Sequence, residues 1–261
     1  MINRPNSSFA DYVIKKLNTK IIGKNIYHFK TIDSTNLFSK KLIKDGVEEG
    51  TVVISDVQLS GRGRKNRTWS SPEGGLWFSV ILYPNLHPKD GMLLTMTSSV
   101  SIAQGIKEKT GLKSIIKWPN DLLIKDKKVC GILTEIDAEQ DKIKYAIVGI
   151  GINVNNELEK DLKKTATTLK KEIGTIIKKE ELFIAILKNF DENYNKLFSK
   201  GADFIRNLWL AHSNIIGKKI KVKNDGSVII GKVKNVDNTG CIILETRDGI
   251  ITIDNGDVEY L

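Results

Sequence analysis

Cysteine, histidine and proline are scarce in this chain of 261 residues, which contains two cysteines, three histidines and five prolines. Cys130 and Cys241 lie far apart, so the sequence has neither a disulfide framework nor a paired cysteine spacing for zinc. The histidines, His28, His87 and His212, are equally scattered, and we assign them to ordinary packing or surface positions. These absences exclude a disulfide scaffold and a zinc site built from these residue types.

Long apolar runs are also missing. The longest, such as residues 146–152, fall far short of the roughly 20 residues that span a bilayer. The N-terminal stretch MINRPNSSFADYVIKK has no continuous apolar core after its first charges and no small-residue cleavage site, unlike a secretion signal. We therefore expect a cytoplasmic protein that does not enter a membrane.

Positive charge is abundant, with a formal net charge of +10. This value fits either a polyanionic partner such as nucleic acid or a genome rich in lysine and isoleucine, whose protein surfaces are simply basic. Lysines are spread along the whole chain among acidic residues, and only residues 62–67 are rich in arginine. We therefore favour an ordinary basic surface.

Hydrophobic periodicity predicts a mixed domain of helices and strands followed by a small all-strand domain. Helices are predicted at residues 8–17, 36–45, 91–109, 157–163, 179–197 and 204–210. Strands are predicted at residues 26–29, 51–55, 76–83, 115–117, 121–124, 129–137 and 145–153. Beyond His212 short strands alternate with turns, so we divide the chain near Ser213 into residues 1–212 and a small antiparallel barrel of residues 213–261.

Glycine and arginine alternate in residues 58–69, QLSGRGRKNRTW. Glycines permit a close approach to a ligand, and guanidinium groups supply forked donors for a carboxylate or a phosphate. Such a loop can hold an anion. Taken alone, it could equally contact nucleic-acid phosphates or be a solvated turn.

A second motif, KWPND, starts at Lys117, at the end of a predicted strand, and presents Asn120 and Asp121 on a proline turn. A lysine in this position can bridge a carboxylate and a phosphate and so oppose the repulsion between two reacting anions. For the isolated motif, the alternative is a tight turn with a surface lysine and a buried tryptophan.

The third motif, VGIGINVN at residues 148–155, alternates glycine with aliphatic residues on a predicted strand. Glycine weakens a strand interior, so its repeated use indicates that a ligand or another backbone lies against that face. Asn153 can then contact a base or a phosphate. The motif differs from the P-loop and from the dinucleotide fingerprint, because no helix begins at its glycines.

Together these segments resemble the biotin–protein ligases over residues 30–155. The segments GRGRKNRTW, KWPNDLL, KKVCGILTE and GIGINVN occur in that family's order and at similar intervals, and the upstream DSTN at residues 33–36 also matches. The tail is similar to the family's small SH3-like barrel. The resemblance implies an α+β fold in which helices flank a mixed sheet, related to class II aminoacyl-tRNA synthetases and lipoate ligases, with the ligands on one face of the sheet.

The resemblance also implies a reaction. Biotin would be activated with ATP to biotinyl-5'-AMP, with magnesium screening the phosphates and pyrophosphate leaving, and then transferred to a lysine of the biotin carboxyl carrier protein of a carboxylase. A homodimer formed through the sheet edge is implied by analogy alone. Only 33 residues precede Ser34, too few for a helix-turn-helix domain, so we expect a ligase that does not bind DNA as a repressor.

Site residues follow from the same resemblance. Lys117 would be the principal catalytic cation, and Arg64 would close over the carboxylate and the adenylate phosphate. The residues expected to bind biotin are Ser34, Thr35, Asn36, Gln58, Arg62, Gly63, Arg64, Trp69, Lys117 and Gly131. Those expected to contact the nucleotide are Arg62, Arg64, Lys117, Asn120 and Asn153. No side chain is assigned to a metal ion.

Two other functions remain open. A lipoate or octanoate ligase of the same superfamily would handle a different acid by similar chemistry, although the GRGR and KWPND segments favour biotin. A nucleic-acid-binding module is supported only by the net charge and residues 62–67. That function would leave the KWPND turn and the glycine-bearing strand without a role.

Overall fold

The protein is described by a computed structural model that covers residues 7–224 and 227–261. The helices in this part of the chain are α1 (Ser8–Lys16), α2 (Thr35–Lys44), α3 (Met92–Thr110), α4 (Leu169–Ile173), α5 (Lys179–Lys200) and α6 (Ala202–Ala211). The first seven strands are β1 (Ile26–Ile32), β2 (Val52–Gln58), β3 (Leu76–Leu82), β4 (Ile115–Lys117), β5 (Asp121–Ile124), β6 (Lys127–Glu139) and β7 (Lys142–Ile152). The remaining five are β8 (Lys219–Asn224), β9 (Ser227–Val236), β10 (Ile242–Thr246), β11 (Gly249–Ile253) and β12 (Asp257–Tyr260).

The first sheet has seven strands in the order β1-β2-β3-β7-β6-β5-β4. β1 and β2 run parallel, whereas the other neighbouring strands are antiparallel. Helices α3 and α5 pack together, and the buried side chains of Phe78, Val148 and Phe183 belong to the core that they share with the sheet. Helix α2 packs with a smaller cluster around Val53 and Ile81, which lie on the opposite face because side chains alternate along a strand. The predicted mixed sheet flanked by helices is therefore confirmed.

The second sheet is antiparallel, with five strands in the order β11-β10-β9-β8-β12. It contacts the first domain through Trp118, whose Nε1 donates to the carbonyl of Gly240 at 3.0 Å, and through Arg206, whose guanidinium donates to Asn235 at 2.6 Å. The expected small antiparallel C-terminal unit is present. Its boundary near Ser213 stays a prediction, in the segment between α6 and β8.

The lysine-rich segment before α5 differs from its prediction. The helix expected at residues 157–163 is a short 3₁₀ turn, Lys160–Lys164. Helix α4 follows, and the periodicity did not predict it because it has only five residues. Its ends do have sequence signals: Thr168 accepts a capping hydrogen bond from the Lys171 amide at 3.1 Å, and Gly174 ends the helix at φ +80°.

In residues 7–224 and 227–261, no helix combines the length and the hydropathy needed to cross a bilayer.

Candidate active site

Three glycines leave space on the face of the first sheet on which α2 lies, because they have no side chains. Gly131 belongs to β6, whereas Gly149 and Gly151 belong to β7. A Cβ atom at Gly149 would lie 2.1 Å from Oδ1 of Asn36, and one at Gly151 would lie 2.4 Å from Nε1 of Trp69. The motif predicted a ligand or a backbone against this face. The structure instead places the side chains of Asn36 and Trp69 there, and the same glycines also line a cleft.

The cleft lies on this face of the sheet. It brings together most of the residues that the sequence assigned to biotin: Ser34, Thr35, Asn36, Gln58, Arg62, Gly63, Arg64, Trp69 and Gly131. Asn120 from the KWPND turn also lines it. Segments far apart in sequence therefore converge on one site because α2, the glycine-arginine loop and strands β6 and β7 meet at this face.

One end of the cleft is a buried polar network at the start of α2. Thr35 donates from its backbone amide to Oε1 of Gln58 at 2.9 Å, and Gln58 donates from Nε2 to the Ser71 hydroxyl at 2.9 Å. Ser34 precedes α2 and lines the cleft, and within the described residues its side chain does not cap the helix. Hydroxyls and amides in this arrangement can both donate to and accept from a polar ring.

Lys128 is the lysine that lines the cleft. Its Nζ lies 5.0 Å from the ring centroid of Trp69 and 2.7 Å from Oδ1 of Asp121. Asp121 also lines the cleft, so the ammonium group is paired and held beside the tryptophan face. A cation held there can neutralise negative charge on a ligand.

Lys117, predicted as the principal catalytic cation, is not among the cleft-lining residues. It ends β4, the edge strand of the first sheet, and its Nζ lies 5.4 Å from the ring centroid of Tyr260 in the second sheet. The role of Lys117 stays a prediction: Lys117 pairs with Asp121 and Asp121 pairs with Gly131, so these three residues share the cleft face of the sheet. Lys128 on β6 is a second cation at this face, and it lines the cleft directly.

A β-bulge explains why strand alternation could not reveal Lys128. In a regular strand that directs Gly131 to the cleft, residue 129 would face the cleft and residue 128 the core. Leu122 pairs with Cys130 but Leu123 pairs with Lys128, so β6 has an extra residue between these pairs. Val129, the extra residue, is buried in the core, and Lys128 is turned to the cleft face.

Residues 61–69, here called the arginine loop, cover the cleft and contact the second sheet. Arg64 donates to Oδ1 of Asn120 at 3.1 Å, to Oδ1 of Asn255 at 2.6 Å and to the carbonyl of Gly256 at 3.3 Å. Burial lowers the pKa of Arg64, opposed by the charges of Asp257 and Asp121, and the group remains a cation at neutral pH. The loop therefore carries positive charge over the cleft.

Two further arginines of the loop are paired at its ends. Arg67 bonds to Asp257 of β12, which itself lines the cleft. Arg62 lies 3.1 Å from Oε1 of Glu135 on β6. The participation of Asp257 could not be predicted from the sequence, because it depends on how the C-terminal sheet docks onto residues almost 200 positions earlier.

A second cavity adjoins the cleft. Thr68, Trp69 and Lys128 line both spaces, whereas Asn153 lines only the second. The other residues around the second cavity are Ser70, Asn156, Glu157, Leu158, Glu159, Leu162, Thr165 and Ala166. The predicted nucleotide residues are thus divided: Arg62, Arg64 and Asn120 line the cleft, Asn153 lines the second cavity, and Lys117 lines neither.

In residues 7–224 and 227–261, no group of three or more His, Cys, Asp or Glu side chains could hold a metal ion. The carboxylates at the cleft, Asp121 and Asp257, are each paired with a cation of the chain, Lys128 and Arg67.

Comparison with known proteins finds biotin ligases both by sequence and by structure. The model of the biotin/lipoate A/B protein ligase family matches residues 28–153. The bifunctional ligase/repressor BirA of Bacillus subtilis is 35% identical over 263 residues, covering 99% of this chain and 81% of that protein. The biotin–[acetyl-CoA-carboxylase] ligase of Paracoccus denitrificans is 29% identical over 83% of this chain and 92% of that protein.

Among solved structures, the biotin protein ligase from Aquifex aeolicus in complex with biotin and ATP superposes with a TM-score of 0.77. The two sequences are 33% identical, and the match covers 91% of this chain and 99% of that one. The similarity therefore extends over both sheets and is not limited to the family segment.

Proposed function

Because the chain belongs to the biotin–protein ligases of the biotin/lipoate A/B protein ligase family, we propose that it activates biotin with ATP and transfers it to a lysine of a carrier protein. The observation that carries this proposal is the pair of adjoining cavities with a shared wall of Thr68, Trp69 and Lys128. Two ligands placed in these cavities meet at that wall. A reaction between two bound substrates requires this arrangement.

Biotin is assigned to the cleft. Its ureido ring offers both donors and acceptors, which match the hydroxyls and amides of Ser34, Thr35, Asn36 and Gln58 at one end. Trp69, together with the backbone from Gly131 to Leu133, provides an apolar path for the valeryl chain. In this orientation the carboxylate points toward Arg64 and Lys128.

The nucleotide is assigned to the second cavity and the shared wall. Asn153 and Asn156 supply amides for a base, and Leu158 and Leu162 supply apolar surface. The α-phosphate then lies near Lys128 and the arginine loop. This assignment fits the absence of a P-loop, because side chains hold the nucleotide in place of a helix N-terminus.

In the first step, a carboxylate oxygen of biotin attacks the α-phosphorus of ATP, the bond to the β-phosphate oxygen breaks, and pyrophosphate leaves. Both reactants are anions, so the barrier includes their mutual repulsion. Lys128 and Arg64 neutralise this charge from opposite sides, one on the sheet and the other on the arginine loop. We assign the principal cationic role to Lys128 and the closing role to Arg64.

In the second step, the neutral amine of a carrier lysine attacks the carbonyl carbon of biotinyl-5'-AMP. The carbon–oxygen bond to the phosphate breaks, AMP leaves with the electron pair, and the new amide loses a proton. The Paracoccus denitrificans relative is named as a ligase for acetyl-CoA carboxylase. We accordingly propose the biotin carboxyl carrier protein of a carboxylase as the acceptor for this chain.

Magnesium enters the proposal only with the nucleotide. The cleft carboxylates are already paired with cations, and the described residues form no cluster of three ligands, so the donor set fits an ion held mainly by the phosphates. Such an ion would screen the phosphate charge.

Incubation with biotin and ATP, followed by mass analysis of the bound ligand, tests the function. We expect biotinyl-5'-AMP and pyrophosphate with biotin, and neither with lipoate or octanoate at the same concentration. Addition of an unmodified biotin carboxyl carrier domain should then add one biotin to that domain. Nucleotide consumption with lipoate or octanoate instead of biotin would identify the related ligase, and no consumption with any acid would refute both assignments.

A further inference from the structure

One end of the cleft is lined by Ser34, Thr35, Asn36 and Gln58 and is here called the ring end. A continuous relay of hydrogen bonds runs beneath it. Thr35 Oγ1 lies 2.7 Å from the Ser79 hydroxyl, and the same hydroxyl lies 2.6 Å from Oδ1 of Asn36. Asn36 then donates from Nδ2 to Oε2 of Glu135 at 2.8 Å. All these groups except Glu135 are buried, and neither Ser79 nor Glu135 lines the cleft. The relay therefore connects cleft-lining side chains to a carboxylate that lies outside the cleft lining.

The number of protons on these groups determines which group donates and which accepts at the hydrogen bonds of this relay. An ionised carboxylate only accepts, so Glu135 requires the NH₂ group of Asn36 and turns Oδ1 of Asn36 toward Ser79. Ser79 must donate its single proton to that oxygen. The Thr35 hydroxyl has two acceptors in reach, the Ser79 oxygen at 2.7 Å and Oε1 of Gln58 at 3.1 Å, so its proton is used within this hydrogen-bonded group in either case.

This direction gives the ring end an acceptor character. Oδ1 of Asn36 lies over Gly149, a cleft-lining residue, so the amide presents its oxygen and not its NH₂ group to the floor. Thr35 uses its hydroxyl proton within this hydrogen-bonded group and presents lone pairs to the cleft. A ligand that supplies N–H donors matches this surface, whereas a ligand with an oxygen at the same position meets unpaired acceptors.

Three donors keep Glu135 ionised. Lys40 lies 2.8 Å and Arg62 3.1 Å from Oε1, while Asn36 occupies Oε2. Burial raises the pKa of Glu135, but the hydrogen bonds from Lys40 and Asn36 and the charges of Arg62 and Lys40 outweigh it and hold the pKa below its ordinary value. At neutral pH the carboxylate is therefore an acceptor at both oxygens.

We propose that Glu135 is a positioning residue that determines specificity for the acid: it sets the direction of the Thr35–Ser79–Asn36 relay and thereby makes the ring end select ligands with N–H donors. The same carboxylate holds Arg62 at the edge of the arginine loop. This inference rests on the proposed function, because it assigns the ureido ring of biotin to this end. It adds a residue that acts on the ligand through others.

The test compares wild type with Glu135→Gln in biotin-dependent pyrophosphate release. A glutamine has nearly the same shape but can donate as well as accept, so Asn36 is no longer forced into one orientation. We expect the KM for biotin to rise about tenfold, with kcat and the KM for ATP changed less than about threefold. The preference for biotin over an analogue in which one ureido N–H is replaced by oxygen should fall by about tenfold.

Lys40→Met is the matched control. Lys40 contacts Oε1 of Glu135, as Arg62 does, but it lies outside the cleft lining. In the Lys40→Met variant, Asn36 and Arg62 still contact the carboxylate. Its KM and its preference for biotin should stay within about twofold of wild type. Ser79→Ala, which cuts the relay and leaves Glu135 in place, should lose the same preference as Glu135→Gln.

The outcomes separate this inference from the proposed function. A wild type that forms no adenylate refutes the proposed function itself. A wild type that forms adenylate, combined with Glu135→Gln and Ser79→Ala variants that keep the preference for the N–H ligand, refutes only the role of Glu135. If Glu135→Gln does not fold, the Ser79→Ala result decides the question in the same way.

Discussion

The floor and the cover of the cleft are built in different ways. The floor consists of strands β3, β6 and β7 with the start of α2, and its polar side chains, such as Thr35, Asn36 and Ser79, are at most 4% exposed. The cover is the arginine loop, whose side chains reach the surface: Arg62 is 37% and Arg67 is 64% exposed. Buried ladders and hydrogen bonds fix the floor, whereas ion pairs that reach the surface and the hydrogen bonds of Arg64 hold the cover.

This difference implies a division of work. Buried hydrogen-bonded groups are costly to disturb, so the floor can select one ligand shape. Exposed ion pairs contribute little each and are screened by salt, so the cover can open and close at low cost. Substitutions in the floor should therefore affect recognition of the acid strongly. Substitutions in the cover should affect retention of the intermediate more weakly.

Lys128 lies where floor and cover meet, and its replacement should have the largest effect. Lys128→Met keeps the aliphatic stem against Trp69 but removes the ammonium group that we place beside the reacting anions. We expect biotinyl-5'-AMP formation to fall by about 10²- to 10³-fold, the usual effect of removing one group that stabilises developing charge. Single-turnover measurement of pyrophosphate release gives the rate.

Lys117→Met is the matched control for that variant. Lys117 lies on the edge strand beside Tyr260, outside both cavities, so its loss should change the rate less than about threefold. The opposite ranking, with Lys117→Met inactive and Lys128→Met active, would show that the reacting charge belongs to the KWPND turn after all.

A second comparison sets a floor glycine against a cover glycine. A Cβ at Gly149 would lie 2.1 Å from Oδ1 of Asn36, whereas at Gly63 its nearest neighbour would be the Arg67 carbonyl at an ordinary 3.4 Å. Gly149→Ala should raise the KM for biotin by about 10- to 100-fold, because overpacking of a buried site costs ~1–3 kcal/mol. Gly63→Ala should raise it less than about threefold.

Calorimetric titration with biotin measures the affinity of both variants for biotin. Comparable losses of affinity would mean that the cover is as tightly packed as the floor, contrary to the division drawn above. A thermal unfolding curve for Gly149→Ala distinguishes a local change at Asn36 from a loss of the fold.

Much of the first sheet could be predicted from the sequence because its information is local. The bounds of β4 and β5 follow from short apolar runs beside turn residues, and the structure has them at residues 115–117 and 121–124 as predicted. The glycines of β7 predicted a face against which a ligand or a backbone lies, whereas the residues at Ser34 were assigned from the family resemblance; both line the cleft.

The remainder depended on geometry that no local pattern encodes. Lys128 faces the cleft only because a bulge at Val129 shifts the alternation of β6, and a regular period assigns it to the core. Lys117 was assigned to the reaction because a lysine before a proline turn has the right chemistry; the structure places it on an edge strand, and its role stays a prediction. Glu135 and Asp257 act through contacts between distant segments, which periodicity cannot report.

The smallest expected effect tests the cover at its contact with the C-terminal sheet. Asp257→Asn removes the carboxylate that pairs with Arg67 and lies 3.9 Å from Lys65, without changing the size of the side chain. Exposed pairs of this kind contribute ~0.2–1 kcal/mol, so release of biotinyl-5'-AMP should accelerate about 1.5- to 5-fold. The exposed Asp254 of the same segment provides the control, and Asp254→Asn should release the intermediate at the wild-type rate. Because salt screens exposed charges, raising the ionic strength to about 1 M should bring wild type close to Asp257→Asn. An acceleration that persists unchanged at high salt would mean that Asp257 holds the cover by a buried hydrogen bond, and the cover would then resemble the floor.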